Sequence, residues 1–205
     1  MESPQRLIRE NRYGLGGMLK FLKNHLFDYI ILLLISGAIV AADQWTKALV
    51  RANIPLGTDW LPKGMMWLMP FARIRHWYNS GAAFGIFRNG NMVFTILAII
   101  IILLILYYFP RTERNDWWLR VAMSLQLAGA AGNLLDRLAF THVTDFISVG
   151  NFAIFNVADT SISTGVVVLL FGVWLKERAE KRQAARVAAL ETGQNVPTED
   201  EAKRG

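Results

Sequence analysis

The sequence predicts an all-α membrane protein with four transmembrane helices and a small extracytoplasmic β-sheet between helices 1 and 2. Three observations lead there. The chain is 53% hydrophobic and its mean hydropathy is +0.29, too apolar for an ordinary soluble domain. Four stretches, about residues 29–50, 92–109, 117–140 and 152–175, approach the roughly 20 residues that cross a bilayer. Most basic residues gather outside these stretches, flanking their ends.

The first 27 residues read as a cytoplasmic extension. Within it Met18, Leu19, Phe21, Leu22, Leu26 and Phe27 recur at helical spacing among Lys20, Lys23 and His25, as in a short helix lying on the membrane surface. The basic residues, apolar run and small residues Ala38–Ala42 have the outline of a secretory signal. The apolar core is long and continues into Asp43-Gln44-Trp45-Thr46-Lys47, so a retained first helix is expected. The connection at about 51–91 is too long for a bare loop. Its segment Phe71–Tyr78 alternates in part and ends in aromatics, which favours a strand, with Phe87-Arg88 expected to return as its partner. The second stretch is free of charge. The third and fourth carry their own Asn and Asp, which lowers their hydropathy. Residues 28–176 thus form the membrane domain, and 177–205 a charged cytoplasmic tail, helical at first and then disordered.

Charge placement sets the orientation. Arg6, Arg9, Arg12, Lys20 and Lys23 precede the first span, Arg111 and Arg114 separate the second from the third, and Lys176, Arg178, Lys181, Arg182 and Arg186 follow the fourth. The positive-inside rule places both termini in the cytoplasm. Trp45, Trp60, Trp67, Trp77, Trp117 and Trp118 lie near span ends or in the long loop, as an interfacial belt would. The same placement argues against a nucleic-acid partner for the net charge of +6. Without cysteine, disulfides, thiolate catalysis and cysteine-ligated metals are excluded. His25, His76 and His142 have no ligand spacing, so neither a metal nor a cofactor is expected.

Two words carry chemistry: Asn133-Leu134-Leu135-Asp136 and Asn156-Val157-Ala158-Asp159. Three-residue spacing puts Asn and Asp on one helix side. An aspartate at the centre of a membrane helix costs about 2.5–3.5 kcal/mol on insertion scales, so such residues need a purpose. With the third span running outward and the fourth inward, Asp136 about one turn and Asp159 about two turns below the outer surface fall at similar depth. Two close carboxylates share one proton, and the ionised member can activate water while the other polarises a carbonyl. Other uses of the same residues are helix-to-helix hydrogen bonding, a proton or ion pathway, and Mg²⁺ held by Asn and Asp oxygens for lipid head-group transfer. Asp43 and Lys47 can pair along one helix face, with Lys47 reaching toward the outer surface. Asn79-Ser80-Gly81 begins a substrate-facing turn. Arg137 is suited to a phosphate or to Asp145, and Asp145 to capping in the outer loop.

Taken in order, Asp43-Gln44-Trp45-Thr46-Lys47, Asn79-Ser80-Gly81-Ala82-Ala83-Phe84-Gly85, Gly129 to Arg137, Val143-Thr144-Asp145-Phe146 and Phe155-Asn156-Val157-Ala158-Asp159 resemble the motifs of bacterial lipoprotein signal peptidase, signal peptidase II. The resemblance covers about residues 28–176. It implies an inner-membrane aspartic endopeptidase that removes the signal peptide from diacylglyceryl-modified prolipoproteins, just before the lipidated cysteine. It implies Asp136 and Asp159 as the dyad, with Asn133, Arg137 and Asn156 in support and Asp43 and Asn79 in structural or binding roles. It also implies membrane lipid as surroundings and globomycin-type peptides as inhibitors.

Overall fold

The computed structural model describes residues 15–81 and 90–191. Four long helices cluster side by side and a three-stranded sheet covers one end. Helix α1 (Leu15–Asn53) runs for 39 residues without a break, about 58 Å at 1.5 Å per residue. The segment expected to lie separately on the membrane surface is therefore continuous with the first span. Helix α1 stops just before Pro55, as a residue preceding proline is pushed out of helical geometry. Helix α2 (Asn91–Tyr108) is uniformly apolar and buries only Ala98 and Ile105.

Helix α3 (Trp117–Phe140) starts on Asp116, whose carboxylate accepts the Leu119 N–H at 3.2 Å. It ends on Thr141 in the left-handed region (φ 63°), whose N–H bonds the Arg137 carbonyl at 3.1 Å. Helix α4 (Val157–Glu191) runs past the expected end of its span, so the start of the charged tail is its continuation.

By length and composition, three helical segments can cross a membrane: 23–53, 91–111 and 157–189. Helix α3 is long enough at 24 residues but less apolar, and the reason is its position. It packs against all three other helices, and its polar and small residues (Arg120, Ser124, Gly129, Gly132, Asn133, Asp136) are buried among them rather than facing lipid. Close approach to α4 requires glycine: a Cβ on Gly129 would stand 2.4 Å from the Ala158 carbonyl oxygen. The other helices turn large apolar side chains outward, among them Leu33, Leu34, Leu103, Leu104, Val167 and Leu170. Trp45, Trp60, Trp67, Trp77 and Trp117 are exposed as an interfacial belt requires.

At the end away from the sheet, buried Asp28 receives Arg120 at 2.8 Å and Arg114 at 3.3 Å, tying α1 to α3. At the other end the sheet has the order β1 (Asp59–Trp60), β2 (Ala72–Asn79), β3 (Val143–Val149), all antiparallel. Two strands come from the expected loop, and the third from the connection between α3 and α4. The expected return strand at Phe87-Arg88 lies outside the described residues. Between the pairs Ile74↔Ile147 and Trp77↔Asp145 the register shifts by one residue, a bulge that aims the strand beside Asp145. Phe146 on the opposite side packs with Val50 of α1 and with Ile54 just beyond its end, so β3 is buried on both faces.

Candidate active site

The polar residues gather where the sheet meets the helices, and they separate into two clusters. The first is ionic. On α1, Asp43, Lys47 and Arg51 recur every four residues and so share a face. Lys47 is fully buried; its Nζ lies 2.8 Å from Asp43 Oδ2, 3.2 Å from Asp136 Oδ2 and 3.2 Å from Asn133 Oδ1. The expected pair with Asp43 is present, but the ammonium points into the bundle instead of toward the outer surface. Asp136 is saturated. It also accepts Gln44 Nε2 at 3.1 Å and the Thr144 N–H at 2.9 Å, with Arg51 Nη1 at 3.7 Å. The left-handed turn at Thr141 brings the Thr144 amide back over Asp136. Asp43 accepts the Ala158 N–H at 2.8 Å, which sets a carboxylate against the positive end of α4.

The second cluster is built on amides. Asn156 precedes α4 and Asp159 lies in its first turn. The Asp159 N–H bonds Asn156 Oδ1 at 2.9 Å while the Asn156 N–H bonds Asp159 Oδ2 at 3.2 Å, a reciprocal cap. Asp159 therefore sits at the helix start, not two turns inside it. An Asn followed three residues later by an acid, ahead of an apolar run, is the sequence signal for such a cap. Asn156 Nδ2 then donates to Asp145 Oδ1 at 2.7 Å and to Asn133 Oδ1 at 3.1 Å, using both its hydrogens. Asp145 Oδ2 accepts Asn79 Nδ2 at 2.8 Å, and Asn79 Oδ1 takes the Gly81 N–H at 3.0 Å in a tight turn. Asn133 Nδ2 closes the circuit on Asp159 Oδ1 at 2.7 Å.

The carboxylate that shares partners with Asp159 is thus Asp145, not Asp136. Asp136 connects to Asp159 through Lys47 and Asn133, because a buried cation claims it first. Asp145 is fully buried and caps no helix, contrary to the expectation of an outer-loop cap. Burial pushes its carboxyl up to about 7, and the neighbouring Asp159 charge adds to this. The amides of Asn79 and Asn156 and the charge of Lys47 hold it back. Arg137 pairs with no carboxylate in hydrogen-bond geometry; Nη1 reaches the Asn133 carbonyl at 3.4 Å and its guanidinium lies over Phe94 at 5.5 Å. Gln44, Arg51 and Thr144 were not expected at the site. Arg51, four residues beyond Lys47 on the same face, was the legible one.

A cavity of about 610 Å³ opens beside the second cluster. Asp159, Asn133, Arg137, Asn79 and Gly81 form its polar side, and Phe94, Leu97, Ile101, Phe155 and Ile162 its apolar side. Asp159 borders it, Asp145 stands behind Asn79, and Lys47 and Asp136 do not reach it. A carboxyl pair next to a largely apolar cavity is equipped for proton transfer to a bound chain in a water-poor setting.

Comparisons with known proteins agree with this picture. The family described as Signal peptidase (SPase) II, Peptidase_A8, matches residues 23–175. The lipoprotein signal peptidase of Bartonella tribocorum is 36% identical over 166 residues, covering 76% of this chain and 96% of that protein. That of Enterococcus faecalis is 33% identical over 156 residues, covering 74% and 92%. A solved bacterial membrane enzyme superposes with a TM-score of 0.65 at 32% identity, over 74% of this chain and 91% of that one. With a matched segment holding all four helices and both polar clusters, the chain belongs to the lipoprotein signal peptidase family, SPase II.

Proposed function

We propose that this peptidase is an intramembrane aspartic endopeptidase that removes the signal peptide from diacylglyceryl-modified prolipoproteins, cleaving before the lipidated cysteine. The carrying observation is that Asn156 bridges Asp145 and Asp159, one bound to amides behind the cavity wall and the other on it. In this reading Asp145 and Asp159 are the dyad, and Asp136 belongs to the ionic scaffold.

Asp159, ionised and facing the cavity, takes a proton from water as the water attacks the scissile carbonyl. Asp145 holds the shared proton and hydrogen-bonds the carbonyl oxygen, which displaces the Asn79 amide from Oδ2. The proton taken from water passes to the leaving amine, so no covalent intermediate and no metal take part. Arg137 and Asn79 orient the peptide backbone from the cavity wall. The apolar wall takes hydrocarbon, where each buried CH₂ contributes roughly 0.8 kcal/mol, so a lipidated substrate binds where a bare peptide would not.

The flanking basic residues favour both termini on the cytoplasmic side of the bacterial inner membrane, with the sheet and dyad at the outer surface. The deciding experiment is a gel-shift cleavage assay with diacylglyceryl-modified and unmodified prolipoprotein. Cleavage of the modified form alone, blocked by globomycin and indifferent to EDTA, is the expected result. Cleavage of both forms alike, or activity lost in EDTA and restored by Mg²⁺, overturns the reading.

A further inference from the structure

We propose that Lys47, though it touches no part of the cavity, is a positioning residue for the dyad: it fixes which way the Asn133 amide faces and so holds a donor on Asp159. This rests on the assignment of Asp145 and Asp159. An amide has two ends of nearly equal size, and packing alone does not choose between them. Here Asn133 Oδ1 receives two donors, Lys47 Nζ at 3.2 Å and Asn156 Nδ2 at 3.1 Å. Its NH₂ is left to meet Asp159 Oδ1 at 2.7 Å. Turned over, the amide would set its NH₂ against an ammonium and a second NH₂, and its oxygen against a carboxylate.

The ammonium enforces this because it is itself immobile. It is fully buried and clamped by Asp43 at 2.8 Å and Asp136 at 3.2 Å, and Asp136 is in turn held by Gln44 and the Thr144 amide. A cation so placed also lends its charge to the carbonyl dipole it grips, strengthening the hydrogen bond at the other end of the amide. The two clusters are therefore one device, with the ionic one setting the orientation of the amide one. The charged groups facing Asp159 are Asp43 and Lys47 from α1, Arg137 from α3, and Asp145 from β3.

The test compares Lys47→Met, Lys47→Arg and the charge-balanced double variant Lys47→Met with Asp43→Asn, as full-length enzyme in detergent with lipidated substrate. The double variant leaves Asp136 its Gln44, Thr144 and Arg51 contacts and so guards against loss of fold. Expected for the folded methionine variants are an unchanged KM, kcat lower by about tenfold or more, and an acidic limb of the kcat–pH profile moved up by about one unit. Lys47→Arg restores the limb toward its original position. A folded double variant with native kcat and pH profile overturns the inference, as does a loss that only tracks the folded fraction. Those results with Asp145→Asn and Asp159→Asn inactive sink the role of Lys47 alone; activity in the two aspartate variants sinks the dyad beneath it.

Discussion

Asp136 and Asp145 lie nine residues apart, both fully buried at the same end of the bundle, yet their surroundings differ in charge. Asp136 is met by an ammonium, a guanidinium, a carboxamide and a backbone amide. Asp145 is met by two neutral carboxamides and has a second carboxylate for a neighbour. A buried acid in contact with cations can serve as an anchor between helices, whereas one whose direct partners are amides can serve in proton transfer. Burial does not separate a structural acid from a chemical one. The charge of its partners does.

The contrast is broken most directly by isosteric substitution. Asp145→Asn and Asp159→Asn are each expected to cut turnover by at least about a thousandfold in protein that still folds. Measurable cleavage by purified Asp145→Asn would return Asp136 to candidacy. Asp136→Asn should fail differently, by destabilising the fold by about 3–5 kcal/mol, since its NH₂ would face either Lys47 and the Thr144 amide or Gln44 and Arg51. Its turnover should fall in step with the folded fraction in a thermal melt; full stability with no activity would contradict the scaffold role.

A smaller effect sharpens the packing side. A Cβ on Gly132 would lie 2.7 Å from Asp43 Oδ2 and 3.2 Å from the Ala158 Cβ, so Gly132→Ala should cost about 1–3 kcal/mol of stability. An unaltered melting temperature would mean the ionic cluster yields more easily than its saturation implies. A pH effect bears on the shared proton itself. With its carboxyl pushed up to about 7 from an ordinary 3.8, Asp145 keeps its proton in the folded protein over a range where an unfolded aspartate has lost it. Its contribution to stability is therefore greatest below that ordinary value and declines as pH rises toward 7. Melts of wild type and Asp145→Asn across this window should show the variant gaining relative stability with rising pH, and a constant difference would count against a shared proton.

Much of this molecule was legible before any coordinates. Four helices, the Phe71–Tyr78 strand, the pairing of Asp43 with Lys47 and the presence of Asn133, Asn156 and Asp159 at one site follow from spacing and hydropathy. The repetition of Asn-x-x-Asp conceals a difference in structure. The words are alike, but 133–136 lies within α3 whereas 156–159 is a cap at the start of α4, and a spacing rule does not distinguish a helix interior from its first turn. Asp145 was undervalued because a strand supplied by one loop to a sheet begun in another is a long-range event. Its Asn79 partner lies 66 residues earlier in the chain. The bulge at Arg75 and His76, opposite Phe146, is equally silent in the local pattern.

Helix α2, which buries only Ala98 and Ile105, nonetheless supplies Phe94, Leu97 and Ile101 to the cavity. The wall that α2 lends is hydrocarbon throughout, while the polar groups opposite belong to α3, α4 and β2. The two sides of the chamber therefore make different demands on whatever enters: one asks only for greasiness, the other for hydrogen bonds in fixed places.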